Sequence, residues 1–263
     1  MTDRYAVIGH PIAHSKSPQI HAAFAQATAQ DINYVAIEAP LDGFAATVHG
    51  FRAAGGRGVN VTLPFKLQAC ELATDPSEAA RLAGAANALR FDGDRVHAQN
   101  FDGTGLVNDI QRNLGHAIRG RRVLILGAGG ATRGAILPIA AERPALLAVA
   151  NRTASKAHAL RDDFAAHAAL QTGGYEDLAG ERFDIVINAT SAGLSDETLP
   201  LPPGLFAPGA LAYDMVYGRG LTPFLKQAKD AGVTALADGV GMLVEQAAEA
   251  FWWWRGVRPG TRE

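Results

Sequence analysis

Short apolar runs alternate along the chain with stretches in which apolar residues recur every three or four positions. YAVIG (5–9) reads as a strand and PQIHAAFAQATAQ (18–30) as a helix. NYVAIEA (33–39) gives a second strand, and DGFAATVHGFRAAG (42–55) a helix closed by Gly55 at its C-cap. In GVNVTL (58–63), Val59, Val61 and Leu63 alternate with Asn60 and Thr62, the period of a strand with one apolar face. Helical segments at 66–73 and 76–84 precede a strand pair around NALRF and RVHAQN. Thr104 is a good N-cap for a helix running to about Leu114. RRVLILG (121–127) carries the continuous apolar run VLIL, as expected of a strand buried on both faces. ALLAVAN (145–151), FDIVINA (183–189) and LAYDMVY (211–217) read as further strands. TASKAHALRDDFAAH (153–167) and about 240–254 read as helices. The alternation predicts an α/β fold on largely parallel sheet.

Composition narrows the classes. A chain of 263 residues has room for two domains, and 48 % hydrophobic against 19 % charged residues marks a lightly charged globular protein. A net charge of −2 with no Lys/Arg-rich run gives no footprint for nucleic acid. No apolar span is long enough to cross a membrane, and MTDRYAVIG lacks the layout of a signal peptide, so a soluble, cytoplasmic protein is expected. The single cysteine, Cys70, excludes an internal disulfide and a cysteine metal cluster, and no metal is expected.

Chemistry concentrates in two places. In RRVLILGAGGATRG a buried strand runs into a glycine-rich turn that opens a helix, where backbone N–H groups can meet a pyrophosphate. Gly127 and Gly129 fit the first two glycines of the dinucleotide fingerprint. Thr132 stands at the third, with Ala131 and Gly134 as small neighbours. After the next strand, where NAD-binding units place a carboxylate, the chain reads Asn151-Arg152-Thr153 with Lys156 following. Cations there suit a 2′-phosphate and imply NADP. The second place is GVNVTLPFK (58–66). Pro64 ends or edges the strand, and Lys66 follows at a turn that is either a surface edge or the wall of a pocket.

The chain resembles the shikimate dehydrogenases. The resemblance rests on GHPIAHSKSP (9–18), NVTLPFK (60–66), LAGAANAL (82–89), NFDGTG (100–105), GAGGATRGA (127–135), NRT (151–153), NATSAG (188–193), YDMVYGRGLTPFL (213–225) and DGVGMLVEQAAEAF (238–251). It implies reduction of 3-dehydroshikimate to shikimate with NADPH. It also implies a substrate domain over 1–103 plus 240–263 and a Rossmann NADP domain over 104–239. Lys66 and Asp102 are implied as the acid/base pair at the reacting hydroxyl. Ser15, Ser17, Thr62, Asn87, Tyr217 and Gln246 join them around the substrate, with Asn60 adjacent. Gly127, Ala128, Gly129, Gly130, Ala131, Asn151, Arg152, Thr153 and Lys156 are implied at the adenosine and phosphates. Thr190, Ser191, Met215 and Gly239 line the nicotinamide half, and Glu78 is a further candidate.

Phe101 and Ala88 depart from the family pattern, where threonines are usual. His14 and His21 are read as structural, and Trp252-Trp253-Trp254 as anchors of the last helix. Partners are the small-molecule substrate only, in a monomer or homodimer. Two alternatives stand beside this reading: an NAD-dependent quinate/shikimate dehydrogenase, and a non-catalytic ligand-binding protein on the same fold.

Overall fold

Two six-stranded sheets carry the chain in a computed structural model that describes residues 2–190, 197–218 and 220–261. They belong to two units, Met1–Gly105 with Val244–Glu263, and Leu106–Leu243.

In the first unit β1 (Asp3–Gly9), α1 (Ser17–Ala27), β2 (Ile32–Glu38), α2 (Phe44–Ala53) and β3 (Gly56–Val61) follow one another. Next come α3 (Lys66–Leu72), the two-residue β4 (Asp75–Pro76), α4 (Glu78–Ala83), β5 (Ala88–Asp92) and β6 (Arg95–Gln99). The sheet order is β2-β1-β3-β5-β6-β4. β1 pairs in parallel with β2 and β3, whereas β5 runs antiparallel to both β3 and β6. This sheet is therefore mixed rather than largely parallel. The cause is local: β5 and β6 are joined by Gly93-Asp94 alone, and a two-residue connection with Gly93 at φ 52° can only reverse the chain. Ala6, Ile8, Val59, Val61 and Leu89 bury the sheet's inner face against Phe44, Phe51 and Phe65.

α5 (Asp102–Asn108) starts two residues before the expected Thr104 cap and continues as a π-helical turn through Asn113. In the second unit β7 (Arg122–Leu126), α6 (Gly130–Ala141), β8 (Leu146–Ala150), α7 (Ala154–Asp163) and β9 (Gln171–Gly173) alternate. β10 (Phe183–Asn188), β11 (Phe206–Asp214), α8 (Pro223–Asp230) and β12 (Ala235–Ala237) complete it. All pairs are parallel in the order β12-β11-β10-β7-β8-β9. Chain order reverses between β7 and β10, which makes that gap the switch point of a doubly wound sheet. β9 and β12 were not expected, since three residues carry no period, and α8 was not expected either. α8 did announce itself through Thr222-Pro223, an N-cap followed by proline at the first helical position.

α9 (Val240–Arg255) returns the chain to the first unit, where Phe251 packs edge-on to Phe24 at 5.8 Å. Trp254 stacks on Tyr5 at 4.7 Å and donates its indole N–H to the Leu89 carbonyl at 3.1 Å. Trp253 lies under the Arg90 guanidinium. Trp252 departs from the expected anchoring: it is 48 % exposed, with the Arg258 guanidinium over its ring. Among the described residues no helix is long and apolar enough to cross a membrane, and no group of three or more His, Cys, Asp or Glu is placed to hold a metal.

Candidate active site

Topology assembles one group of candidate side chains within the first unit. β1, β3 and β6 run the same way and β5 runs against them, so the end of β1, the end of β3, the start of β5 and the end of β6 share one sheet edge. Those are the positions of the Ser15–Ser17 loop, of Thr62 and Lys66, of Asn87, and of Asp102. Gly9 leaves room for this edge: a Cβ there would stand 2.5 Å from the Thr62 methyl.

Lys66 opens α3, where the free N–H groups of the first turn disfavour a cation. Asp102 opens α5, where an anion is favoured. The two meet with Nζ 2.6 Å from Oδ2, both side chains mostly but not wholly covered (28 % and 16 % exposed). They are thus held as a pair yet reachable by a solute. Asn87 Nδ2 donates to the other Asp102 oxygen at 2.8 Å and to Gln246 Oε1, on α9, at 3.2 Å. Asn87 Oδ1 accepts the Phe101 N–H at 2.8 Å, and Asn100 Oδ1 accepts the Asp102 N–H at 3.1 Å. The Asn87 carbonyl accepts from Asn60 Nδ2 at 3.2 Å, and Asn60 Oδ1 accepts from the Tyr34 hydroxyl at 2.7 Å. His21 lies flat on Tyr34 at 4.1 Å. It is completely buried, neither ring nitrogen makes a hydrogen bond of good geometry, and burial pushes its pKa down to about 3. His14, read as structural like His21, stands exposed on the loop before α1.

Lys66, Asn87, Asp102 and Gln246 are therefore brought into one hydrogen-bonded group. Ser15 and Ser17 are joined to each other, Ser15 Oγ accepting the Ser17 N–H at 3.3 Å. Phe101, the departure from the family pattern, turns its ring edge-on to Trp253 at 5.8 Å, so its backbone alone serves the group. Glu78 opens α4 and is exposed, a position the helix dipole favours for an anion. Tyr217, in the second unit, is 46 % exposed beyond β11.

In the second unit the parallel strands place Gly127, Asn151, Thr190, Met215 and Gly239 beyond the carboxyl ends of β7, β8, β10, β11 and β12. Gly127 has φ 105°, and Gly129 caps α6 with no side-chain bond and no acid in the first turn. A Cβ on Gly129 or Gly130 would meet nothing within 4 Å. A solute can thus approach the backbone closely where α6 opens, as a pyrophosphate requires. Thr132, standing where a third glycine was expected, is buried and donates its hydroxyl to the Gly127 carbonyl at 2.8 Å. The departure from GxGxxG thereby closes the turn instead of opening it.

Arg152 precedes α7, exposed, and pairs with Glu197 at 3.0 Å. Lys156 lies exposed on the first turn of α7, and Asn151 Nδ2 donates to the Thr153 carbonyl at 2.9 Å. Gly239 is required by packing: a Cβ there would stand 2.3 Å from the Met215 carbonyl oxygen. Ser191 lies outside the described residues. Sequence reasoning passed over Asn188 and Asp214, both fully buried, whose side chains join at 3.2 Å. Buried polar residues in the NATSAG and YDMVYG stretches were the available signal.

The model for the shikimate dehydrogenase substrate binding domain matches residues 7–89, and that for shikimate / quinate 5-dehydrogenase matches residues 109–195. The shikimate dehydrogenase (NADP(+)) of Dechloromonas aromatica is 59 % identical, covering 100 % of this chain and 96 % of its own. The chain is a member of the shikimate dehydrogenase family. Among solved structures of such α/β proteins, an Ael1 enzyme from Pseudomonas putida superposes with a TM-score of 0.94 at 58 % identity over 99 % of this chain and 96 % of that one. The shikimate 5-dehydrogenase of Thermus thermophilus, solved with NADP(H) and shikimate, gives 0.86 at 32 % identity over 98 % and 95 %. The Lys66–Asp102 group and the glycine-rich turn are thus features of a shikimate dehydrogenase family member.

Proposed function

We propose that the chain interconverts 3-dehydroshikimate and shikimate with NADP(H), the first unit holding the substrate and the second the dinucleotide. The observation that carries this is the Lys66–Asp102 contact of 2.6 Å, oriented by Asn87. When bound, NADPH supplies the hydride to the carbonyl carbon. As that carbon becomes tetrahedral its oxygen gains negative charge, and the Lys66 ammonium is the group to give it a proton. Asp102 keeps the ammonium aimed and carries the compensating charge. In the reverse direction Lys66 takes the hydroxyl proton as hydride leaves the carbinol carbon. Atoms and charge balance in each direction.

Ser15 and Ser17 suit the substrate carboxylate, and Thr62, Asn87, Asp102 and Gln246 suit its ring hydroxyls; Tyr217, in the second unit, is a further substrate candidate. Gly127 to Ala131 would hold the pyrophosphate. Arg152 and Lys156 would take the 2′-phosphate between Asn151 and Thr153, and Thr190, Met215 and Gly239 the nicotinamide half. A cofactor-absorbance assay crossing shikimate and quinate with NADP and NAD tests the reading. NADP-linked oxidation of shikimate should dominate. Faster turnover of quinate with NAD, or no turnover at all, rejects it.

A further inference from the structure

At the carboxyl ends of β10 and β11 the buried carboxylate of Asp214 takes no part in the chemistry above. Its Oδ2 accepts from Asn188 Nδ2 at 3.2 Å and from the Thr222 hydroxyl at 2.6 Å, and its Oδ1 accepts the Val216 N–H at 3.0 Å. Removing a charge from water is costly, so a carboxylate kept here calls for a reason other than stability. An ionised carboxylate only accepts, and this decides which way the Asn188 amide faces. The NH2 points at Asp214, and Oδ1 is left to accept both the N–H of Thr190 at 3.1 Å and its hydroxyl at 2.7 Å. The Thr190 methyl in turn lies 3.0 Å from where a Cβ on Gly127 would stand. A chain of contacts thus runs from Asp214 through Asn188 and Thr190 to the glycine-rich turn.

We propose that Asp214 is a positioning residue for the dinucleotide: by setting the polarity of the Asn188 amide it holds Thr190 against the turn at Gly127. The proposal rests on the reading that Thr190 and this turn carry NADP. Asp214→Asn keeps the shape but exchanges an acceptor for a donor. If its oxygen turns to Asn188, its NH2 opposes the Val216 N–H; if its NH2 turns there, it opposes the Asn188 NH2 or makes that amide turn over and present its NH2 to the Thr190 N–H. Combining Asp214→Asn with Asn188→Asp reverses both partners. The carboxylate at 188 then accepts from 214 and from both Thr190 groups, and complementarity returns.

Titration of purified protein with NADP should show Asp214→Asn binding about tenfold more weakly, as expected when a buried polar group loses its partner. The reciprocal double variant should return to within about threefold of wild type. Thr222→Val removes a donor to the same oxygen without touching the amide, so it should lower the melting temperature and leave NADP affinity alone. Should Asp214→Asn not fold, Asn188→Leu removes the acceptor for Thr190 and should weaken NADP by a similar factor. Unchanged affinity in Asp214→Asn or Asn188→Leu overturns the proposal. So does a double variant that binds no better than the single, or Thr222→Val weakening NADP as much. A wild type that does not bind NADP at all rejects the proposed function itself, a distinct result.

Discussion

His21 makes the first unit acid-labile by an amount that can be worked out. Folding holds its ring neutral with a pKa of about 3, against 6.5 for an ordinary histidine. The pKa is depressed, so below pH 6.5 the unfolded chain binds a proton that the folded chain refuses. Stability from this residue is full above that pH and falls as pH falls, until the folded value is reached. At about pH 5, some 1.5 units into the window, the loss is about 2 kcal/mol at 1.36 kcal/mol per unit. That is a large share of the stability of an ordinary domain. The three tryptophans, Trp252 to Trp254, all lie in the first unit, so intrinsic fluorescence follows that unit alone. Urea unfolding of wild type and His21→Leu, each at about pH 7.5 and about pH 5, isolates the effect. Each protein is compared with itself, so the packing cost of the substitution cancels, and groups other than His21 titrate alike in both. Wild type should lose about 2 kcal/mol more than the variant between the two pH values. Equal losses would refute the reasoning, because a buried histidine that titrates normally carries no such linkage.

Lys66→Ala should lower kcat by about 10²- to 10⁴-fold with a smaller change in KM for shikimate. Asp102→Asn should resemble it, and the double variant should fall far short of the product of the two losses; independent, multiplying effects would break the pair assignment. Arg152→Ala should raise KM for NADP about tenfold or more while leaving KM for NAD nearly unchanged; equal rises for both would remove Arg152 from the 2′-phosphate. Glu197→Gln should tighten NADP by about 1.4- to fivefold, since the exposed ion pair that competes with the phosphate is worth about 0.2–1 kcal/mol. An unchanged KM for NADP in that variant would show that the pair does not compete.

Much of the fold was legible from periodicity alone. VLIL (123–126) lies inside a sheet as a run apolar at every position must, and GVNV alternates as a strand must with one polar edge. The glycine-rich turn and the basic residues after β8 were legible as candidates for cofactor binding, because a backbone bend and a charge are properties of a short stretch. Local pattern misled where direction mattered: β5 and β6 look like any strand pair, and only their two-residue turn made the first sheet mixed. What the tertiary structure alone decided is polarity and company. Asn87 touches Gln246 across 159 residues of sequence. Arg152 was expected to face a phosphate and is found facing Glu197, 45 residues on. Asp214 dictates the facing of an amide 26 residues earlier. Periodicity reports which face of an element avoids water, a property of neighbours in sequence. Which donor meets which acceptor depends on strand order and direction, and those exist only once the sheets have formed.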